Sequence, residues 1–137
     1  MKKLGVNVDI LVVREGKVLL GLLAERWNYQ GRRAYGVPGG DILYGEAIGE
    51  TVARNLREEF GARLIKHDIV SVNANRALGN HFIGIGVLAE MDGETLRESD
   101  DWDKWEWFPL DHLPDNLFPA AQNVLESYRQ HKVTVAE

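Results

Sequence analysis

The sequence predicts an α/β protein in which helices pack on a mixed β-sheet. Residues 6–13 and 18–23 are apolar runs, the first rich in valine and isoleucine, and residues 46–61 carry the signals of a helix. Further strand-like runs and a second helical segment follow along the chain. Because strands, a helix, strands and a helix succeed one another, a sheet covered by helices is the fold that we expect.

The first half of the chain is expected to open with a hairpin. Residues 6–13 and 18–23 flank the short segment REGK, which suits a tight turn. Residues 25–35 are polar and aromatic and predict a loop, and Pro38 with the glycine pair after it predicts a sharp turn without regular structure. The helix that follows is predicted to end at Gly61, since glycine suits the left-handed residue after a helix.

The second half repeats the pattern of strands followed by a helix. Residues 69–77 and 81–89 predict two strands joined by LGN, and KWEWFPL at 104–110 predicts a short aromatic strand. Pro109 and Pro114 indicate a loop. Residues 120–131 then predict a closing helix, with Val124, Leu125 and Tyr128 on its apolar side.

Length and composition limit the classes of function. The 137 residues fit one domain spanning 1–137, and 45% hydrophobic with 27% charged residues is ordinary for a globular protein. A net charge of -5 argues against a nucleic acid polymer or an anionic membrane as partner. No apolar run reaches the ~18 residues that cross a bilayer, so a cytoplasmic location is expected. Without cysteine, a metal would be held by oxygen or imidazole, which favours Mg²⁺ or Mn²⁺.

The predicted first helix gathers acidic and amide side chains on one face. At 100° per residue, an arc of about 140° contains Arg54, Asn55, Glu58 and Glu59. The opposite side carries Val52, Ala53, Leu56 and Phe60. One interpretation is a solvated face with ion pairs from Glu50 to Arg54 and from Arg54 to Glu58, each contributing ~0.2–0.5 kcal/mol.

A cation site is the other interpretation of this face. Glu58 and Glu59 lie in the last turn, where the helix dipole disfavours carboxylates. The bend at Gly39 and Gly40 would let a backbone carbonyl approach an ion, because no side chain intervenes. Carboxylates, a carbonyl and waters are the ligands that Mg²⁺ prefers.

The same stretch closely resembles the Nudix box, a pattern of glycine, glutamate and arginine at fixed spacing. Matching positions are Gly40, Glu46, Arg54, Leu56, Glu58, Glu59 and Gly61. Ala62 is a small version of the last aliphatic residue, and Asn55 stands where the family has a glutamate. The resemblance implies a Nudix-type α/β/α sandwich whose mixed sheet carries the box as a loop, a helix and a loop.

The resemblance also implies an activity and a set of roles. Nudix enzymes hydrolyse a nucleoside diphosphate linked to a further group, with Mg²⁺ on the phosphates. By position, Glu58, Glu59 and the Gly39 carbonyl would be metal ligands. Arg54 would hold a glutamate in place, and Glu46 would support the loop or the metal shell.

Asn55 leaves three explanations open. It is an engineered change that traps a complex, or it is natural with the base supplied elsewhere, or the protein only binds nucleotides. An amide offers an oxygen but accepts no proton at neutral pH, so its catalytic role is reduced. For a replacement carboxylate in ESDDWD we expect Asp100, followed by Glu98 and Asp101.

Recognition of the substrate has weaker sequence signals. WEWFPLDHLP resembles the segment before the last helix in Nudix nucleoside triphosphate diphosphatases of the MutT-like branch. Trp105 and Trp107, with Trp102 before them, suit a core, a dimer contact or a platform for a base. The candidate substrate-binding residues are Arg32, Arg33, Gly40 and Gln122, of which Gln122 would read the base. The four histidines, at 67, 81, 112 and 131, lack ligand spacing.

Three functions follow as hypotheses. The first is Mg²⁺-dependent hydrolysis of a nucleoside triphosphate to a monophosphate and pyrophosphate. The aromatic strand is compatible with a homodimer. A second is hydrolysis of a nucleoside diphosphate sugar or ADP-ribose, which shares the box. A third is a catalytically silent nucleotide-binding module, which Asn55 suggests.

Overall fold

Strand β1 (Gly5–Arg14) organises the sheet of this protein. In the computed structural model, which describes residues 3–76 and 79–136, β1 pairs antiparallel with β2 (Lys17–Leu23). The turn between them places Glu15 at φ 52° and Gly16 at φ 76°. Two left-handed residues in succession match the twist of a tight hairpin, so the predicted hairpin is present.

The remaining strands extend the sheet in both directions. They are β3 (Tyr35–Gly36), β4 (Gly39–Asp41), β5 (Arg63–Asn75), β6 (Phe82–Asp92), β7 (Trp102–Pro109) and β8 (Thr134–Ala136). The order is β3-β2-β1-β6-β5-β8, with β4 paired to β1 and β7 paired to β2. β1 with β6 and β5 with β8 are parallel, and the other pairs are antiparallel, so the sheet is mixed as predicted.

Two helices lie on the sheet. Helix α1 (Ile48–Phe60) begins where the Glu50 carboxylate accepts a hydrogen bond of 2.9 Å from the Ala47 amide. It ends at Gly61, which has φ 63° as the sequence predicts. Helix α2 (Pro119–Gln130) starts with proline, whose missing amide proton costs nothing at that position. No helix within the described ranges is long and apolar enough to cross a membrane.

The two helices cover opposite faces of the sheet. One core joins Val52, Leu56 and Phe60 of α1 to Val8, Ile10 and Val12 of β1. A second core joins Ala121, Val124 and Leu125 of α2 to Leu11, Val18 and Leu20 of the hairpin. Since successive residues of a strand point to opposite faces, β1 contributes to both cores. The fold is therefore the expected α/β/α sandwich.

Several elements differ from the sequence prediction. β6 continues to Asp92 beyond the expected end at 89, and β7 begins at Trp102 rather than at 104. The glycine pair forms strand β4, although a turn without regular structure was expected; a Cβ at Gly39 would collide with the Val8 carbonyl oxygen, so only glycine allows this pairing. β5 starts at Arg63 rather than at 69, because the exposed polar residues Lys66, His67 and Asp68 interrupt the apolar pattern after Leu64 and Ile65. β8 was not predicted. The expected strand end at Ala77 lies outside the described residues.

Candidate active site

The polar face of α1 is tied to the loop before it by Arg54. Its Nε donates to Glu46 Oε2 at 2.8 Å, and its Nη2 donates to Glu46 Oε1 at 3.1 Å and to the Asp41 carbonyl at 2.8 Å. Nη1 also lies 3.4 Å from Glu58 Oε2. The guanidinium therefore fixes the end of β4, the loop and the last turn of α1 relative to one another.

Glu46 is held from several sides. Its Oε1 accepts hydrogen bonds from the Leu43 amide at 3.0 Å and from the Thr51 hydroxyl at 2.9 Å. The hydrogen bonds from Arg54, above all, and then that from the Leu43 amide lower the pKa of the Glu46 carboxyl to about 2. Glu46 is therefore a fixed anion at neutral pH, which suits a supporting residue rather than a proton acceptor.

A depression of about 180 Å³ lies beside this network. Its lining residues are Gly39, Asn55, Glu58, Glu59, Ser99, Asp101 and Trp102. Gly39 comes from β4, the acidic pair and the amide from α1, and the others from the start of β7 and the loop before it. The fold thus brings residues that are distant in sequence around one small space rich in oxygen atoms.

The Glu59 and Asp101 carboxyl groups both line this depression, and their negative charges repel each other. Burial, followed by the negative charge of Asp101, raises the pKa of the Glu59 carboxyl, and Arg97 partly offsets this rise. Asp101 is held by Arg26 Nη2 at 2.6 Å and by Trp27 Nε1 at 3.1 Å. Two carboxylates that disfavour each other's charge would both be stabilised by a cation placed between them.

Asn55 has a defined orientation at the wall of the depression. Its Nδ2 donates at 2.8 Å to the Thr51 carbonyl, which lies four residues earlier on the same helix. Its Oδ1 occupies the space over Gly40, only 2.6 Å from where a Cβ on that residue would stand. The absent side chain at Gly40 therefore makes room for the Asn55 amide oxygen.

The donor set suits a hard divalent cation, although it is not a ready-made cage. Carboxylates, a glycine carbonyl and an amide oxygen are the ligands that Mg²⁺ and Mn²⁺ prefer. Among the described residues, no three His, Cys, Asp or Glu side chains are already gathered closely enough to hold a metal ion. Mg²⁺ usually binds one or two carboxylates and completes its shell with water and substrate phosphate, so an incomplete set still fits.

A second pocket, of about 320 Å³, adjoins the depression and shares Gly39, Asp101 and Trp102 with it. Four aromatic side chains line it: Trp27, Phe82, Trp102 and Phe118. Asn7 and Asp9 of β1 and the start of α2 line it as well. The pocket can take a flat apolar ring whose polar substituents reach the acidic depression.

Comparison with known proteins identifies the family of this chain. A model of the NUDIX domain matches residues 3–129. The chain belongs to the Nudix family. It is therefore a pyrophosphohydrolase, an enzyme that hydrolyses acid anhydrides. Enzymes of this family act on nucleotide substrates and generally use divalent metal ions.

Several Nudix relatives are similar over most of this chain. ADP-ribose pyrophosphatase of Methanocaldococcus jannaschii is 28% identical over 129 residues, which cover 93% of this chain and 74% of the relative. NAD-capped RNA hydrolase NudC of Pseudomonas aeruginosa is 27% identical, but the chain spans only 48% of its length. A MutT Nudix hydrolase from Burkholderia pseudomallei superposes with a TM-score of 0.79 at 28% identity, over 92% of this chain and 98% of that structure.

The predicted Nudix site residues divide into those that meet and those that do not. The depression brings together Gly39, Asn55, Glu58 and Glu59. Asp100 is exposed and is not among its lining residues; Asp101, the next residue, takes that place. The bond from the Ala24 amide to the Asp101 carbonyl, 2.8 Å long, sets this register.

The predicted substrate-binding residues fare differently. Arg32 is exposed and lines neither space, while Arg33 donates to the Leu23 carbonyl at 2.9 Å and pairs with Asp103. Gln122 is exposed and donates to the Leu117 carbonyl at 2.6 Å, so Phe118 and Ala121 line the pocket instead. Gly40 does line it.

The tryptophans have separate places. Trp105 is buried in the core, with its ring edge-on to Phe60 at 4.9 Å. Trp107 is partly buried beside the Arg14 guanidinium, at 4.8 Å. Trp102 is tilted against Trp105, with ring centroids 4.3 Å apart, and lines both spaces of the site. Of these three tryptophans, Trp102 is the one placed to contact a base, and Trp27 also lines the aromatic pocket.

Sequence reasoning missed Asn7 and Asp9. Both line the aromatic pocket, and Asp9 is only 6% exposed. Burial raises the pKa of the Asp9 carboxyl to about 6, against the opposing effect of hydrogen bonds from Asn7 and Asn73. The available signal was their alternation, since polar residues at 7 and 9 interrupt an otherwise apolar strand on one face.

Proposed function

We propose that this Nudix enzyme hydrolyses a nucleoside triphosphate to a monophosphate and pyrophosphate with Mg²⁺ or Mn²⁺. The observation that carries the proposal is the junction of the two spaces. An aromatic pocket that suits a base adjoins an acidic depression that suits phosphates and a cation, and Gly39, Asp101 and Trp102 line both. One nucleotide can therefore reach both at once.

The residues of the chain divide the work. Glu58, Glu59 and the Gly39 carbonyl would hold the cation, with Asp101 facing them across the depression. Arg54 and Glu46 would keep the loop and the acidic turn in register. When bound, the divalent ion would neutralise phosphate charge and favour attack by water. One water is consumed as the anhydride bond between the α and β phosphates breaks.

Asn55 limits how a proton is removed from the attacking water. Its amide can accept a hydrogen bond from water through Oδ1 but accepts no proton at neutral pH. Asp101 is the carboxylate on the opposite wall that could supply this function, although Arg26 and Trp27 hold it in this structure. We therefore expect a working but slow enzyme, since general base catalysis is worth roughly 10²–10⁴-fold.

A nucleoside diphosphate sugar or ADP-ribose is the second candidate substrate. The name of the Methanocaldococcus jannaschii relative, ADP-ribose pyrophosphatase, favours it. Such a substrate carries the same base and anhydride, and its second sugar would extend from the depression towards solvent. The pocket for the base and the donors for the cation would be used in the same way.

Product analysis separates these candidates. The protein is incubated with Mg²⁺ and, in turn, with nucleoside triphosphates, ADP-ribose and nucleotide sugars, and the phosphate products are separated by ion-exchange chromatography. Pyrophosphate with a monophosphate supports the first proposal, whereas a sugar phosphate with a monophosphate supports the second. Tight nucleotide binding with no product from any substrate, even in the Asn55→Glu variant, would mean that the protein only binds nucleotides.

A further inference from the structure

A polar floor lies beneath the aromatic pocket, formed by Asn7 and Asp9 of β1. Asn7 Nδ2 donates to Asp9 Oδ1 at 2.9 Å. Both side chains share the face of β1 that carries Leu11, which packs in the core under α2. This face of β1 is therefore polar at Asn7 and Asp9 and becomes apolar at Leu11.

A glycine of the neighbouring strand makes room for the Asp9 carboxyl group. Gly84 of β6 pairs with Asn7, and a Cβ on Gly84 would collide with Asp9 Oδ2. The carboxyl group therefore fills the space of a missing side chain, and its position depends on glycine at residue 84.

A contribution to the stability of the fold does not explain why Asn7 and Asp9 form this polar floor. Asp9 is 6% exposed, and within the described residues its Oδ2 has no hydrogen bond of regular geometry. Burying a carboxyl group is unfavourable, and the hydrogen bonds from Asn7 and Asn73 offset that cost only in part. Buried polar groups that weaken a fold while lining a pocket are typical of ligand recognition.

The walls and floor together match the chemistry of a heteroaromatic base. The rings of Trp27, Phe82, Trp102 and Phe118 surround the space with apolar faces, on which a flat ring can stack. Asn7 is half-buried, so its amide is reachable from the pocket. An amide pairs well with a base edge that places a donor beside an acceptor.

We propose that Asn7 reads the hydrogen-bonding edge of the nucleotide base, and that Asp9 is a positioning residue that fixes the Asn7 amide. The proposal rests on the proposed function, since it requires a nucleotide in this pocket. One Nδ2 proton is directed at Asp9 Oδ1, and Nδ2 also makes a long contact of 3.5 Å to the Val8 carbonyl, which a base can displace. Asn7 can therefore offer its Oδ1 and its second Nδ2 proton to the base. A base that places an acceptor opposite Nδ2 and a donor opposite Oδ1 is accepted, and one that presents these groups in the reverse order is rejected.

The test compares bases on a constant ribose and triphosphate. Adenine, guanine, cytosine, uracil and hypoxanthine nucleotides are assayed with the native protein and with Asn7→Ala. The preferred nucleotide should lose roughly 5- to 150-fold in kcat/KM, the range for one bidentate pair between an amide and a base. Most of the loss should be a rise in KM, because the contact binds substrate and transition state alike. Asn123→Ala, on α2 and outside the pocket lining, is the matched control.

The role of Asp9 needs a pair of variants. Asp9→Asn keeps an oxygen for the Asn7 amide and should retain the order of base preference. Asp9→Ala removes that oxygen and should flatten the preference as Asn7→Ala does, with kcat largely kept. If Asp9→Ala keeps the native preference while Asn7→Ala loses it, the positioning role is wrong. Circular dichroism and thermal unfolding show that each variant is folded.

Binding of nucleoside monophosphates separates this proposal from the proposed function. A monophosphate carries the base but no anhydride, so its Kd, measured by calorimetry with Mg²⁺, reports on the pocket alone. Selective binding that Asn7→Ala abolishes supports the reading of the base, even if triphosphates prove not to be the substrate. A native protein that binds all five monophosphates equally, or a preference unchanged in Asn7→Ala, overturns it.

Discussion

Arg54 and Glu46 form a two-point contact, with distances of 2.8 Å from Nε to Oε2 and 3.1 Å from Nη2 to Oε1. The two residues are eight positions apart in the sequence. The contact closes the loop between β4 and α1 against the helix, next to the acidic turn that carries Glu58. The position of the acidic turn relative to Gly39 therefore depends on a planar guanidinium group with several N–H donors, which only arginine has.

Arg54→Lys should impair catalysis more than folding. Lysine keeps the positive charge but cannot contact both Glu46 oxygens and the Asp41 carbonyl together. We expect kcat to fall roughly 10- to 100-fold, the usual effect of losing a group that orients metal ligands. Steady-state kinetics with Mg²⁺ measure this. Arg63→Lys, at an exposed pair with Asp92, is the matched control and should change kcat little. An Arg54→Lys enzyme as fast as that control would contradict the prediction.

Because the pKa of Asp9 is raised, we expect the free energy of unfolding to depend on pH. Its pKa is about 6 in the folded protein and 3.8 for the free side chain, so the folded state holds the proton more tightly. Protonation of Asp9 in the folded state contributes to the free energy of unfolding. This contribution is complete below pH 3.8 and is lost as the pH rises through 6. Relative to Asp9→Asn, the native protein should lose roughly 3 kcal/mol of unfolding free energy between pH 4 and 7.

Urea unfolding of the native protein and Asp9→Asn at several pH values measures this difference. Titrations that both proteins share cancel in the comparison. A difference in unfolding free energy that stays constant from pH 4 to 7 would mean that Asp9 titrates as a solvated carboxyl group.

The parts of the site that sequence predicts are those fixed by local geometry. Helical periodicity places Glu58, Glu59 and Asn55 on one face, and Gly61 ends the helix because its left-handed backbone is a local property. The hairpin follows from its turn for the same reason. These features depend on neighbours within about one or two turns of chain, which the sequence displays directly.

The positions of site residues that depend on contacts with residues distant in sequence are those that the sequence does not predict. Asp101, and not Asp100, lines the depression, where its carboxylate is held by Arg26 and Trp27, which lie far away in sequence. Gln122 turns to the Leu117 carbonyl instead of the pocket. Asp9 is recognisable only once the glycines of β6 are beside it, since no local pattern shows which residues face each other across strands.

Glu58→Gln and Glu59→Gln should each weaken the response to Mg²⁺. Each change removes a charged oxygen from the depression while keeping side-chain size. We expect activity at low Mg²⁺ to fall on the order of 100-fold, with partial recovery at high Mg²⁺. Mg²⁺ titrations of the initial rate measure this. Glu126→Gln on α2, which is exposed and paired with Gln130, should titrate as the native enzyme does. If all three variants share one Mg²⁺ curve, the acidic turn is not the cation site.

Asn55→Glu should accelerate the enzyme. A carboxylate at this position adds a proton acceptor and a negative charge beside Glu58 and Glu59, and the cation offsets their repulsion. The Asn55 amide oxygen already fills the space over Gly40, so the longer glutamate must extend into the depression. We expect kcat to rise roughly 100-fold, within the range that a general base supplies.

Asn55→Gln is the matched control for this change, because it has the length of glutamate without the charge. Single-turnover rates with saturating Mg²⁺ compare the three proteins and exclude product release as the slow step. The glutamate variant should exceed both amides at neutral pH and lose its advantage as the pH falls and the new carboxylate is protonated. Equal rates for glutamate and glutamine would place the base elsewhere, and Asp101→Asn should then abolish turnover, since Asp101 is the carboxylate on the opposite wall.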